Sequence, residues 1–323
     1  GSSAITSFAG NDVFVSKLDS SGNYVWAKQM GGTSSEYGND IKLGSDGNLY
    51  ISGPMGGNGD YDPGAGTATL LAADGGVFIS VLDSSGSYVS ATNFGAGASY
   101  ATAYRMILDG DDNIYIIGYF GSTADFEPGS GTTNKVSLGG YDIFLAKYDS
   151  EINLSWVQSF GSAAGNEYGY DITLDSSDNI YSTGDFTNTV DFDPGSSTSN
   201  LVSAGSDDIY ISKLSPQADP TVTVSSASLV TQGSATLNGN ITSLGGPENS
   251  ATRGFEYGLT DSYGTTVTQS DGSYTTGAFS AEVTGLACST TYYFRAFATN
   301  SSGTGYSSGS SQSTAGCPSS GSH

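Results

Sequence analysis

Three short clusters hold most of the carboxylates that could act in pairs: Asp60-Tyr61-Asp62, Asp125-Phe126-Glu127 and Asp191-Phe192-Asp193, each followed by Pro-Gly. On an extended chain the two acids of a cluster point to one side and the aromatic ring to the other. Two acids with loop carbonyls suit a hard cation of the calcium type. Two acids facing a sugar are the machinery of glycoside hydrolysis. The same acids can simply accept main-chain N–H groups in a turn, and Tyr61, Phe126 and Phe192 could stack on a ligand. A catalytic centre is built once from unlike residues, whereas these clusters are copies, so no enzyme is expected. The single histidine, His323, excludes a Ser-His-Asp triad, a Cys-His pair and a multi-histidine zinc site. No glycine-rich phosphate loop is present.

The clusters recur every 65 to 66 residues, and other landmarks recur with them. Phe14, Phe78, Phe144 and Tyr210 share one position of an apolar strand; Asn48, Asn113 and Asn179 share a turn. Such self-similarity marks a propeller, a solenoid or a related array, in which each unit buries its apolar face against its neighbours. Within one unit, alternation and turn residues predict strands over 38–44, 48–54, 75–83 and 87–94. The Asp46-Gly47-Asn48, Asp111-Asp112-Asn113 and Ser177-Asp178-Asn179 runs are read as hairpin turns. The acidic loops fall between the second and third strands, so all three are expected on one face. Trp26 and Trp156 are read as core residues.

Four short antiparallel strands per unit make a propeller blade. Residues Ile41 to Gly53, Asp12 to Trp26 and Asp142 to Trp156 resemble the secreted bacterial β-propeller repeat family, in which an IxxD-xxGNxYxxG hairpin precedes DxFVxKLDxxGxxxW. The resemblance covers residues 1–214 and departs from the pattern at Ser90, where the other units have tryptophan. It implies an all-β fold of three and a half propeller-type units. Propellers close with four to eight blades, so the expectation is an arc. Either it is a piece of a longer propeller, or a partner or a second copy completes it through open strand edges.

After a linker over 215–220 with two prolines, strands are predicted near 221–229, 233–242, 251–258, 277–285, 290–299 and 305–314. Leu286, Thr290, Tyr292, Arg295, Ala296, Ala298, Asn300 and Gly303 resemble the closing strands of a bacterial fibronectin type III domain, here over 221–317 with a tail at 318–323. The resemblance implies a β-sandwich in which Tyr292 pins a strand crossover by its hydroxyl. Cys288 stands where that family has proline. If the last strand runs antiparallel to 290–299, Cys317 lands beside Cys288, and a disulfide is expected; two free thiols are the alternative.

Net charge is −23 from 9 basic and 32 acidic residues, yet only 13% of the chain is charged. Bases are scarce, so nucleic-acid binding is excluded for want of a basic patch, as is adsorption to an anionic membrane. No apolar run approaches the roughly 20 residues of a membrane helix, so membrane insertion is not expected. No leader segment is read, as expected for an exported chain in mature form. Sequons begin at Asn153, Asn240 and Asn300. The expectation is an extracellular or cell-surface structural or adhesive protein that assembles through its strand edges, with calcium as a candidate cofactor. A glycan-binding module with a polysaccharide partner is the alternative, and a carboxylate glycosidase the third.

Overall fold

The structure is a computed structural model that describes residues 4–72, 75–195, 198–216, 218–246, 252–270, 272–300 and 303–318, and of residues 96–99 the main chain alone. Gln217, the Ser301-Ser302 half of the third sequon, His323 and all of the tail but Pro318 lie outside the described residues. The described residues form antiparallel sheets with no helix. The chain divides into two compact units, Gly1–Ser215 and Pro216–His323.

The first unit runs through β1 (Val13–Leu18), β2 (Tyr24–Gly32), β3 (Asp40–Leu43), β4 (Leu49–Met55), β5 (Gly59–Asp60), β6 (Thr69–Leu70), β7 (Gly76–Leu82) and β8 (Tyr88–Phe94). It continues through β9 (Ala96–Leu108), β10 (Ile114–Asp125), β11 (Asn134–Tyr148), β12 (Leu154–Phe160), β13 (Tyr168–Leu174), β14 (Ile180–Phe186), β15 (Thr189–Asp191), β16 (Asn200–Val202) and β17 (Asp208–Leu214). Sheet I has the order β1-β2-β5-β6, sheet II β3-β4-β7-β8, sheet III β12-β11-β10-β9 and sheet IV β13-β14-β17, with β15 and β16 as a separate hairpin. The turns are stapled by side chains. Asp109 Oδ1 accepts the N–H groups of Asp111 and Asn113 at 3.0 and 2.9 Å, and Asp149 and Asp175 repeat the arrangement. These turns need a left-handed residue, supplied by Asp112 (φ 59°), Ile152 (φ 64°) and Asp178 (φ 57°).

Strand alternation sends each sheet's side chains to two neighbours in turn. Ile114 and Ile116 of β10 join the core shared with sheet II, while Tyr115 and Ile117 join the core shared with sheet IV. One register position shows the logic. Phe78 packs on sheet I, Phe144 on sheet II and Tyr210 on sheet III, all three at most 1% exposed. The series does not close: Phe14, the same position of sheet I, is 71% exposed, and Ile209 and Ile211 of sheet IV are 80% and 77% exposed.

The repeated acidic loop folds back toward the preceding sheet. β5 pairs with β2, matching Asp60 with Gly31, and Asp125 pairs with Ala96. The loop aromatics therefore enter the inter-sheet cores. Tyr61 lies 4.8 Å from Phe78, Phe126 5.1 Å from Phe144 and Phe192 4.6 Å from Tyr210, ring centre to ring centre. Trp26 and Trp156 are half-buried against the first and third of these cores.

In the second unit, β18 (Thr221–Ser228), β19 (Ser234–Ser243) and β22 (Gly277–Thr284) form one sheet; β20 (Thr252–Gly258), β21 (Thr265–Gln269), β23 (Thr291–Thr299), β24 (Thr304–Tyr306) and β25 (Ser310–Ser313) form the other. Leu237, Ile241 and Phe279 of the first meet Phe255, Phe294 and Ala296 of the second in one core, which makes a sandwich. β21 has no counterpart among the expected strands, and the strand expected over 305–314 is two short ones. Between them, Ser307 Oγ accepts the Ala296 N–H, replacing a ladder bond. The Tyr292 hydroxyl accepts the Ala287 N–H at 3.0 Å. Cys288 and Cys317 are disulfide-bonded, with Cα atoms 5.0 Å apart. A loop of this size restricts the unfolded chain by about 3.5 kcal/mol.

The contrast between equivalent positions gives a direct test. Phe126→Ala removes a fully buried ring and should lower the first unit's unfolding free energy by about 3–5 kcal/mol. Phe14→Ala should change it by under about 1 kcal/mol in dilute monomer; urea titration measures both.

Candidate functional site

The acids singled out by the sequence are loop staples. Asp60 Oδ1 accepts the N–H groups of Asp62 and Ala68 at 3.0 and 2.8 Å, and Asp62 Oδ1 that of Gly64 at 2.7 Å. Asp125 Oδ1 accepts from Glu127 and Thr133, Glu127 Oε2 from the Thr133 hydroxyl, Asp191 Oδ1 from Asp193 and Ser199, and Asp193 Oδ1 from Gly195. In each pair the hydrogen-bonded oxygens are turned onto their own loop. Among the described residues, no three His, Cys, Asp or Glu side chains are placed to hold a metal.

The expected ligand-stacking rings are corrected by their burial. Tyr61 and Phe126 have no exposed surface and Phe192 has 7%. Alternation placed ring and acids on opposite sides correctly, but the ring side is the dry one because the loop lies across the inter-sheet seam.

One of the sequons, at Asn300, is corrected similarly. Asn300 is 7% exposed, and its Nδ2 donates to the carbonyls of Ala218 and Leu244 at 2.7 and 2.8 Å, so no amide hydrogen is free for a glycan. Asn240 lies in β19, the middle strand of its sheet, paired on both sides with Thr223 and Ala278. Asn153 is exposed, and its Nδ2 clamps its turn by donating to Asp149 Oδ2 at 3.0 Å.

The structure assembles a surface that the sequence reading did not find. Tyr100 and Tyr104 of β9, Tyr119 of β10, Tyr141 of β11, and Tyr168 and Tyr170 of β13 form one continuous cluster of rings. Tyr119 is at its centre, 4.9 Å from Tyr168, 5.1 Å from Tyr141 and 5.6 Å from Tyr104, and stacked with Tyr100 at 5.9 Å. Tyr100 and Tyr170 are 50% and 42% exposed. Two bulges create this surface: the ladder steps from Ala103 to Arg105 and from Gly169 to Asp171, leaving Tyr104 and Tyr170 as the unpaired extra residues. Burial, then the neighbouring phenols, push the hydroxyls of Tyr100 and Tyr104 up, so the surface is uncharged at neutral pH. Tyr170 is pushed up to about 12, by burial and then by its 3.1 Å bond to Asp185.

Beside the cluster lies a cavity of about 170 Å³, lined by Tyr37, Pro54, Met55, Gly76, Tyr100 and Ala101 among others. Gly76 and Ala101 open it. The equivalent positions at the flanking junctions hold acids: Asp12 with Glu36, and Asp142 with Glu167. At the second of these, Glu167 Oε1 accepts from the hydroxyls of Ser162 and Thr187 at 2.8 Å each, and Asp142 Oδ2 accepts the Leu138 N–H at 3.0 Å. Asp142 Oδ1 has no partner, and burial, followed by the charge of Glu167, pushes Asp142 up to about 6.

No known protein family matches this chain, and no curated protein does. Among solved structures it is similar to the sensor domain of the anti-sigma factor RsgI4 in Pseudobacteroides cellulosolvens, at 18% identity over 31% of this chain and 98% of that one, TM-score 0.24. It is also similar to the FN1-FN3 domains of chicken CNTN1, at 11% identity over 87% and 99% of the two chains, TM-score 0.25. Domains A168-A170 of titin match at 10% identity over 86% and 97%, TM-score 0.24.

A carboxyl whose native pKa lies above its unfolded value gives stability that is complete below the unfolded pKa and lost as pH rises through the native one. The contribution of Asp142 should therefore fall between about pH 4 and pH 6. Asp142→Asn should flatten that slope and raise the midpoint of thermal unfolding at pH 7.5, as measured by a pH series of melts.

Proposed function

We propose that this chain is a non-catalytic extracellular structural or adhesive protein, built from propeller-type blades followed by a fibronectin type III-like sandwich, whose blade array is extended by a second copy. The observation that carries the reading is the mismatch at the two ends. Within the array the Phe78, Phe144 and Tyr210 face of each sheet covers the Val and Ile face of the sheet before it. Phe14 on sheet I lacks such a cover, and so do Ile209 and Ile211 on sheet IV. The two bare faces carry the two halves of the interface already used three times, so a copy can dock its sheet I on another's sheet IV. A head-to-tail contact of this kind yields rings if its rotation closes and filaments if it does not. The disulfide in the second unit and the scarcity of bases support an oxidising, extracellular setting. In this reading contact is through sheet faces, whereas the sequence expectation was strand edges.

The tyrosine surface favours a second reading, in which the array also holds a polysaccharide. Neutral rings with fixed hydroxyls offer flat apolar faces for sugar C–H groups and hydrogen bonds at their edges. The cavity between Tyr37 and Tyr100 is of monosaccharide size, and the adjoining rings extend it as a platform.

Sedimentation velocity should show concentration-dependent association of the wild type, lost in Phe14→Asp and in Ile211→Asp alone. Mixing these two variants should restore a one-to-one dimer through the faces each retains; monomers in every sample would refute the assembly. On immobilised polysaccharides, Tyr100→Ala should weaken retention about tenfold, as expected for loss of one stacked ring, while Tyr61→Phe should leave it unchanged.

A further inference from the structure

The junction of sheets I and II gathers buried oxygens that nothing in the protein satisfies. Asp12 precedes β1, and Glu36 bridges to Met55 of β4. Asp12 Oδ2 accepts the Phe8 N–H and the Gln29 side chain, each at 2.6 Å, and Glu36 Oε2 accepts the Gly32 N–H at 3.0 Å. The second oxygen of each, Asp12 Oδ1 and Glu36 Oε1, is buried without a partner, and so is the hydroxyl of Tyr61. Glu36 and Tyr61 have no exposed surface. The two carboxylates flank Gly31. A Cβ there would lie 2.7 Å from Asp12 Oδ1 and 3.0 Å from Glu36 Oε2, so glycine leaves the space between them. Both acids also act electrostatically on the Tyr61 phenol, which burial already pushes up. Among the described residues no Lys or Arg pairs with either acid.

The other junctions show how unusual this is. Between sheets II and III the corresponding residues are Gly76, Ala101 and Phe126, with neither charge nor phenol. Between sheets III and IV they are Asp142, Glu167 and Phe192; Glu167 is saturated by hydroxyls and the Ser162 N–H, and of these three only Asp142 keeps an orphan oxygen, Oδ1, while the hydroxyl of Tyr210 in the same core also lacks a partner. One proton on Asp142 answers the need of its carboxylate. At the first junction two carboxylate oxygens lack any donor, and the phenol next to them donates to neither. A fully buried and a half-buried carboxylate that each keep an orphan oxygen, with no base to pair them, are costly unless a positive centre takes them together. A hard divalent ion takes oxygen ligands and balances two carboxylates.

We propose that Asp12, Glu36 and Tyr61 form a binding site for one hard divalent cation of the calcium type, clamping sheet I onto sheet II. The site takes Tyr61 from the acidic loop but not the Asp60 and Asp62 carboxylates, which bond their own loop, and it does not depend on the assembly or glycan readings.

Calorimetric titration of the full chain with CaCl₂ should show one saturable site and a Ca²⁺-dependent rise in the melting temperature of the first unit. Glu36→Gln, with its circular dichroism unchanged, should weaken binding by about tenfold or more, whereas Glu167→Gln and Asp62→Asn should bind as the wild type does. Terbium supplies a readout that leaves the charge intact: tyrosine-sensitised Tb³⁺ emission should drop in Tyr61→Phe while Tb³⁺ still binds. The proposal is overturned if millimolar Ca²⁺ neither binds nor stabilises, if binding survives Glu36→Gln, or if it is lost in Asp62→Asn. It is also overturned if Glu36→Gln stabilises the metal-free protein while Ca²⁺ leaves the wild type unchanged, which would assign the pair a shared proton.

Discussion

Every sheet of the first unit has two apolar faces and can cover neither by itself. Strand alternation makes this unavoidable: in β10, Ile114 and Ile116 go one way and Tyr115 and Ile117 the other, and all four are buried. Stability is therefore a property of neighbouring pairs, as in other repeat arrays. The aromatic of the acidic loop completes each pair. Because β5 hydrogen-bonds to β2 of the preceding sheet, Tyr61 is delivered into a core to which sheets I and II both contribute. The acids of that loop hold its backbone in the shape that aims the ring inward. The most conspicuous sequence signature of this chain is thus a device for joining one sheet to the next.

The repeat period and the strand positions were legible because they rest on local chemistry. Asp-to-Asn turns and two-residue alternation depend on neighbours in sequence, and β3, β4, β7 and β8 fall within two residues of their expected limits. What could not be read depends on which face is wet. Alternation separates Tyr61 from Asp60 and Asp62 without saying which side meets water, and the answer came from a pairing between β2 and β5, roughly thirty residues apart. The tyrosine cluster was hidden for a related reason: bulges at Tyr104 and Tyr170 break the parity on which strand reading relies. β21 was missed because Thr265–Gln269 carries only one apolar residue, Val267, which packs at the edge of its core.

The three junctions share a backbone and differ in what fills one station: Asp12 with Glu36, Gly76 with Ala101, Asp142 with Glu167. Since the middle junction holds no acid at this station, the fold does not require one there. The acids burden the native state where they occur, as the upward shifts of Glu36 and Asp142 indicate, burial being the largest cause in both. A buried polar group that the fold does not need is a candidate for function. The same reasoning applies to the middle junction, where the small residues leave a cavity beside Tyr37 and Tyr100 instead of closing on it.

Charge sets the terms on which the bare ends can meet. Two copies at −23 each repel at long range, while the faces that would join them are apolar and act only at contact. At physiological ionic strength, repulsion beyond about 8 Å is largely screened, so the short-range apolar gain decides the outcome. The acidic balance then acts against indiscriminate association of the many other exposed apolar residues, such as Leu43, Leu71 and Leu138, whose contacts would bring like charges together without a complementary face. The one pairing with shape on its side is the one the array already repeats internally. In the proposed assembly, net charge and bare end faces, which look opposed, would both favour ordered head-to-tail growth.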